Sequence, residues 1–186
     1  MAAVARLRDH VSLEKFDMTY YTYAPSPFGD LLLLSDGEAL TGLFLPSHKH
    51  GPGGVSDDWE RDDELPVLKA TSAQLADYFA GTLADFDIPV RLDGTPFQRA
   101  VWNELTKIPN GTTISYGELA RRVGNPKASR AVGLANGRNP VSIIVPCHRV
   151  VGSNGSLTGY GGGIDRKRAL LQHETEHWPT APLFTK

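Results

Sequence analysis

The first part of the chain groups its apolar residues in short runs of strand length. Met18–Ala24 with its tyrosines, Gly29–Leu34 and Ala39–Phe44 predict strands, separated by turn chemistry at Pro25-Ser26-Pro27 and Asp36-Gly37. His48 to Asp63 is polar and Gly-rich and reads as a loop. Leu65–Phe79 then places Leu68, Leu75, Tyr78 and Phe79 at helical spacing, with Gly81 where a helix stops. Asp85–Leu92 predicts one more strand, and Val90 to Gly94 a linker. Beyond it the pattern changes to short helices. Thr95-Pro96-Phe97-Gln98 is a capping box with Pro at the first helical position, followed by Val101, Trp102, Leu105 and Ile108 on one face. Ser115-Tyr116-Gly117-Glu118 is a second capping box opening the helix Tyr116–Val123, which Gly124-Asn125 ends. Asn125-Pro126 caps a further helix, Lys127–Ala135, which stops at Gly137. Two short helices joined by a Gly-containing turn form a helix-turn-helix pattern, and the second carries Lys127 and Arg130 among small residues. The apolar run Val141–Val145 reads as a buried strand leading into Pro146-Cys147-His148.

The chain's 186 residues correspond to one domain or two small ones. With 40% hydrophobic and 22% charged residues, the composition excludes wholesale disorder. No apolar run approaches the roughly 18 residues of a membrane helix, and the first fifteen residues lack the apolar stretch of a secretory signal. Charge changes the picture more. The net charge of −2 divides into −9 over residues 1–93 and +7 over residues 94–174. A basic half beside an acidic half points to a polyanion-binding domain with a partner domain.

The lone Cys147 excludes an internal disulfide and any multi-Cys zinc site, and it suits a reducing cytosol, so a cytoplasmic location is expected. Free Cys is often simply buried. Equally, a thiol followed by His148, with Glu174 as a carboxylate to orient that imidazole, has the parts of an activated nucleophile. The residues alone leave both readings open.

A resemblance decides between them. Ile144-Val145-Pro146-Cys147-His148-Arg149-Val150-Val151 resembles the active-site signature of the O6-alkylguanine-DNA alkyltransferases, the methylated-DNA–protein-cysteine methyltransferases. The likeness runs without a gap from Thr95 to Glu174, through Ser115-Tyr116-Gly117-Glu118, Arg130-Ala131-Val132-Gly133, Asn139-Pro140 and Tyr160-Gly161-Gly162-Gly163. It implies an α/β (α+β) fold. Residues 1–93 would form a ribonuclease-H-like antiparallel sheet with a helix, serving as scaffold. Residues 94–178 would form a winged helix-turn-helix-like all-α domain carrying the active Cys, and 179–186 a tail. It implies single-turnover repair, in which O6-methylguanine, and more weakly O4-methylthymine, is flipped out of double-stranded DNA and its alkyl group moves to Cys147. His148 would take the thiol proton through a water, Glu174 would hold the imidazole, and Tyr116 would protonate the leaving guanine.

By the same resemblance Arg130 is the finger that fills the space of the flipped base, and Asn139 ties the recognition helix to the Cys turn. Tyr160 and the backbone of Cys147, Val150 and Gly161 line the base pocket. Ala131 and Gly133 allow close approach to DNA, and Lys127, Arg121, Arg122 and Lys167 touch phosphates. No cofactor or metal is implied, because the lesion itself donates the alkyl group. A monomer is expected, with cooperative binding along DNA left open. The N-terminal part has no Cys for the structural zinc of some relatives. The pairs His48/His50 and His173/His177 read as solvated side chains rather than metal ligands. Ser142 and Thr158 replace the Pro and Gly of some relatives, which leaves the tolerance for large alkyl groups open. Two rivals remain on the sequence. A non-catalytic lesion-binding relative would replace Cys147. A cysteine hydrolase would leave the helix-turn-helix and the basic half unexplained.

Overall fold

The computed structural model describes residues 18–179, so residues 1–17 of the expected first domain and 180–186 of the expected tail lie outside the described residues. The first elements are β1 (Tyr20–Ala24), β2 (Leu31–Ser35), β3 (Leu40–Phe44), β4 (Glu60–Arg61) and the helix α1 (Pro66–Phe79). Then come α2 (Pro96–Leu105), β5 (Ile114–Ser115), α3 (Tyr116–Arg122), α4 (Ser129–Gly137), β6 (Val150–Val151) and α5 (Ile164–His177). The fold is α+β. Among the described residues no helix is long and apolar enough to cross a membrane.

The first sheet has the order β3-β2-β1-β4. The central strand β2, Leu-Leu-Leu-Leu-Ser, is buried along its whole length, and Leu33 there pairs with Thr22 and Leu43. Burial on both faces explains why it reads as a continuous apolar run instead of an alternating one. β1–β2 and β2–β3 are antiparallel, as expected, but β4 joins β1 in parallel and belongs to the stretch read as loop. Two residues are too few for a strand pattern to show. Leu68, Leu75 and Tyr78 of α1 pack into the same core, as their helical spacing predicts.

The outer edge of β3 carries the connection between the two halves. Leu40 N donates to Pro89 O at 2.8 Å and Arg91 N to Leu40 O at 2.9 Å. Further along, Leu43 N donates to Pro140 O at 2.8 Å and Ser142 N to Leu43 O at 3.0 Å. Both segments were expected as strands, and neither is one. Asp85–Leu92 meets the sheet only through the Leu40–Val90 bridge, because Pro89 has no N–H to extend a ladder and Asp87 N is bonded to Gln74 Oε1. Val141–Val145 leaves the Leu43–Val141 bridge and folds into consecutive tight turns, with Ile143 at φ 70°. The pairing therefore ties the first sheet directly to the approach to Cys147.

In the second half the capping box at Thr95 and Gln98 is complete. At Ser115 only half forms: Ser115 Oγ accepts Glu118 N at 3.0 Å, while the Glu118 carboxylate turns to Arg121 and Arg122. Gly124 at φ 77° closes α3, a conformation that favours glycine. α4 begins two residues later than the pattern suggested, because Asn125 bonds Ala128 N with its carbonyl and its side chain caps nothing. Trp102 Nε1 donates to Ala135 O at 2.9 Å and fastens α2 against α4. This half is not all-α, since β5 and β6 form a short parallel pair, Ile114 against Val150.

Candidate active site

Cys147 starts a single 3-10 turn, Cys147–Arg149, just after the folded-back segment 141–146. Asn139 determines that shape. Its Oδ1 accepts Val141 N at 3.0 Å, and its Nδ2 reaches Val145 O at 2.7 Å, Val141 O at 3.3 Å and Cys147 Sγ at 3.1 Å. One buried amide thus holds both ends of the turn and donates to the sulfur. Burial pushes the Cys147 thiol up to about 11, while the Asn139 hydrogen bond and the Lys167 charge pull it down. The resting group is a thiol and needs a proton acceptor before it can act as a nucleophile.

His148 is fully buried, and its Nε2 lies 2.7 Å from Glu174 Oε1. An ionised carboxylate only accepts, so the imidazole carries its proton on Nε2. Nδ1 is left as a buried lone pair with no partner. Burial lowers the His148 pKa despite the neighbouring carboxylate, so the ring is neutral. Glu174, also fully buried, accepts from Tyr78 Oη at 3.0 Å and from Arg149 Nε at 2.9 Å and Nη2 at 2.8 Å. Burial raises its pKa, but His148 and Arg149 more than offset this and hold it well below the usual carboxylate range. Arg149 is itself held by Ile108 O and Asn110 Oδ1.

Tyr116, at the start of α3, donates its hydroxyl to Thr158 O at 2.9 Å, and its pKa is raised chiefly by burial. Tyr160 is buried with a partnerless hydroxyl whose pKa burial raises well above 10. Val150 is buried, and Gly161 is half-buried beneath His48, where any Cβ would strike the imidazole. On α4 and the turn before it, Lys127, Arg130 and Ala131 face outward, with Gly133 partly exposed beside them. A cavity of about 370 Å³ opens between α4 and the Tyr160 loop, lined by Gly133, Leu134, Arg138, Tyr160 and Gly161. A second cavity, about 530 Å³, lies behind Pro146 and Arg149, and its walls include neither Cys147, His148, Tyr116 nor Tyr160.

The fold brings Cys147, His148, Glu174, Asn139, Tyr160 and Val150 into one buried cluster with Tyr116 at its margin, and it leaves Lys127, Arg130 and Ala131 on the surface. Lys167 does not fit its expected phosphate role. It is fully buried, with Nζ donating to Val150 O at 2.6 Å and Thr158 O at 2.8 Å, and burial lowers its pKa to about 8. The histidine pairs are not simply solvated either. His48 packs half-buried on the Gly161 loop, and burial brings its pKa down to about 4. His173 Nε2 is 2.8 Å from Tyr78 O. Among the described residues no group of three or more His, Cys, Asp and Glu stands together as a metal site. Arg149, Tyr78 and Asn136 belong to the cluster and were not singled out in the sequence. Arg149 lies inside the signature string and was legible there, whereas Tyr78 comes from α1 and gave no such signal.

Fold and site together define an α+β protein in which a helix-turn-helix unit is followed by a buried cysteine beside a carboxylate-held histidine. Two family descriptions match the chain: the ribonuclease-like domain of 6-O-methylguanine DNA methyltransferase over residues 19–92, and its DNA binding domain over residues 96–176. The chain belongs to the 6-O-methylguanine DNA methyltransferase family. A methylated-DNA–protein-cysteine methyltransferase from Methanosarcina acetivorans is 51% identical over 156 residues, 83% of this chain and 97% of that protein. One from Haemophilus influenzae is 49% identical over 156 residues, 83% of this chain and 86% of that protein. The crystal structure of Mycobacterium tuberculosis O6-methylguanine methyltransferase superposes with a TM-score of 0.79 at 48% identity, covering 88% of this chain and 97% of that one. The M. tuberculosis OGT in complex with DNA gives 0.76 at 47%, covering 87% and 95%.

Proposed function

We propose that this protein repairs DNA by moving the alkyl group of O6-methylguanine onto its own Cys147, once per molecule. The observation that carries the reading is the imidazole of His148, fixed by Glu174 through Nε2 and with Nδ1 unpartnered, in the residue that directly follows a buried, protonated thiol. Nδ1 takes the thiol proton through a water, and the sulfur attacks the alkyl carbon. The carbon–O6 bond breaks with its electron pair going to the guanine, and the Tyr116 hydroxyl supplies a proton to N3. The thioether cannot be reversed by any group in the site, so turnover stops at one. A base reached in this way has left the stack, and exposed Arg130 on α4 fills its place.

In this reading residues 1–93 are scaffold, and residues 94–178 bind DNA and carry the chemistry. The partner is double-stranded DNA containing alkylated guanine, with O4-methylthymine a weaker substrate. The names of the relatives and the DNA-bound M. tuberculosis structure support DNA as the partner. The reading includes a monomer in the cytoplasm, and sedimentation with duplexes of increasing length tests for monomeric or cooperative binding.

The decisive experiment is intact and peptide mass spectrometry after mixing the protein with excess duplex carrying one O6-methylguanine. The expected result is a gain of one methyl, on Cys147 and nowhere else. Binding without any gain would overturn transfer in favour of lesion binding alone.

A further inference from the structure

Residues 18–93 are acidic and contain four Lys and Arg. Arg61 is paired with Asp63, Lys69 with Glu64 and Arg91 with Asp36. Lys49 is exposed, and among the described residues its side chain has neither a hydrogen bond nor an ion pair. A lone surface lysine is ordinary, but the place of this one is set by the second half of the chain. Ser47 at φ 57° turns the backbone, and Lys49 N then donates to Gly161 O at 2.9 Å. The Arg166 guanidinium donates to both Pro46 O and Gly162 O. The His48 ring covers Gly161 so closely that a Cβ there would stand 2.5 Å from it. The segment 46–50 is thus fastened to the Tyr160-Gly161-Gly162 loop, which holds the backbone of Lys49 at a fixed place beside α4.

Arg130, Leu134 and Arg138 follow one another at four-residue spacing, so they share one face of α4 and its C-terminal end. All three are exposed, Leu134 by 63%. Arg130 and Arg138, like Lys127 before them, have no acidic partner among the described residues. The cavity of about 370 Å³ at the end of this face is lined by Leu134 and Arg138 and equally by Lys49 and His50. The row of unpaired cations on α4 therefore continues onto the first half of the chain. A nucleic-acid strand, whose charges recur at regular intervals, is the polyanion that such a row fits. We propose that Lys49 is a DNA-phosphate contact supplied by the first half, reaching the same duplex as α4 beyond the Arg138 end of the helix. The proposal rests on α4 facing DNA, and it goes beyond the scaffold role given to residues 1–93.

The test titrates a fluorescent duplex, long enough for one molecule only, with the full chain by anisotropy between about 50 and 200 mM salt. Lys49→Gln is expected to weaken binding about eightfold near 0.1 M salt and to reduce the slope of log affinity against log salt by about 0.9, the counterion release of one phosphate. Lys49→Arg, which keeps the charge, is expected to retain the slope. Lys69→Gln removes the same charge from a lysine that Glu64 already holds, and is expected to leave affinity and slope unchanged. An unchanged slope in Lys49→Gln, or a lost one in Lys49→Arg, overturns the proposal. An equal fall in Lys69→Gln also overturns it, since net charge and not a contact would then be at work. A wild type that binds no duplex overturns the DNA-binding reading beneath it, an outcome distinct from binding that does not depend on Lys49.

Discussion

The sheet with α1 and the cluster around Cys147 bury different chemistry. The first is filled by Leu31, Leu33, Leu40, Leu43, Leu68 and Leu75, all fully buried, and its buried hydroxyls bond nearby groups, Thr71 to Val67 O and Ser35 to Ala39 O. The second buries His148, Arg149, Lys167, Glu174, Asn136 and Asn139. Apolar burial is non-directional and stabilises in proportion to area. Buried polar groups contribute little net energy but demand one geometry, so they specify where a thiol, a lone pair and an acceptor stand. The leucine region supplies stability that the polar region spends on position.

Breaking the comparison at its centre gives the largest effect. Cys147→Ala is expected to abolish methyl transfer in the mass-spectrometric assay while still shifting the lesion-containing duplex, since a small side chain fits the turn. Loss of binding together with transfer would make the thiol part of the fold.

The thiol's burial is next. With its pKa pushed up to about 11, alkylation of the free protein by iodoacetamide is expected to rise about tenfold per pH unit from 7 to 10. A plateau near pH 8 would mean that the resting group is already a thiolate.

Glu174→Ala leaves Arg149 and His148 buried and uncompensated, and is expected to cost about 3–5 kcal/mol in urea unfolding at pH 7. The folded pKa of Glu174 is depressed, so its contribution is complete above the unfolded value of 4.5 and fades as pH falls below it. The gap between the two proteins should therefore narrow under acid, and a gap that widens there would refute the ion-paired carboxylate.

Leu33→Ala tests the other region, with an expected loss of about 2–5 kcal/mol and an unchanged transfer rate in the protein that remains folded. A slowed rate would show that the sheet does more than support the Cys turn. The smallest effect sharpens the surface end: Arg130→Ala should leave stability within about 0.5 kcal/mol and slow repair in duplex by about tenfold, with the free methylated base unaffected. Equal slowing of both would remove the finger role.

Much of this was legible in the sequence because it is local. The strands around Leu31–Leu34, the helix through Leu68 and Leu75, and the Thr95 box follow from spacing and capping within a few residues. The opposite held for α5, whose buried positions are Lys167, Leu170 and Glu174, so no apolar stripe marks it. Asp85–Leu92 and Val141–Val145 have strand composition, but Pro89 and the Asn139 clamp remove the ladder that composition alone cannot see. Lys167 looked like a phosphate contact because a lysine's charge is visible in sequence and its burial is not.

What the chain determined by itself is the strands β1 to β3, the helices α1 to α4, the basic second half and the Cys-His string, since each rests on neighbours in sequence. Only the tertiary structure decided which charges would be buried, joined Tyr78 and Arg149 to Glu174, and left His148 Nδ1 and Asn136 Oδ1 unpartnered. Hydrogen-bond satisfaction is a property of the packed interior, where groups from α1, α4, the Cys turn and α5 meet across long stretches of chain.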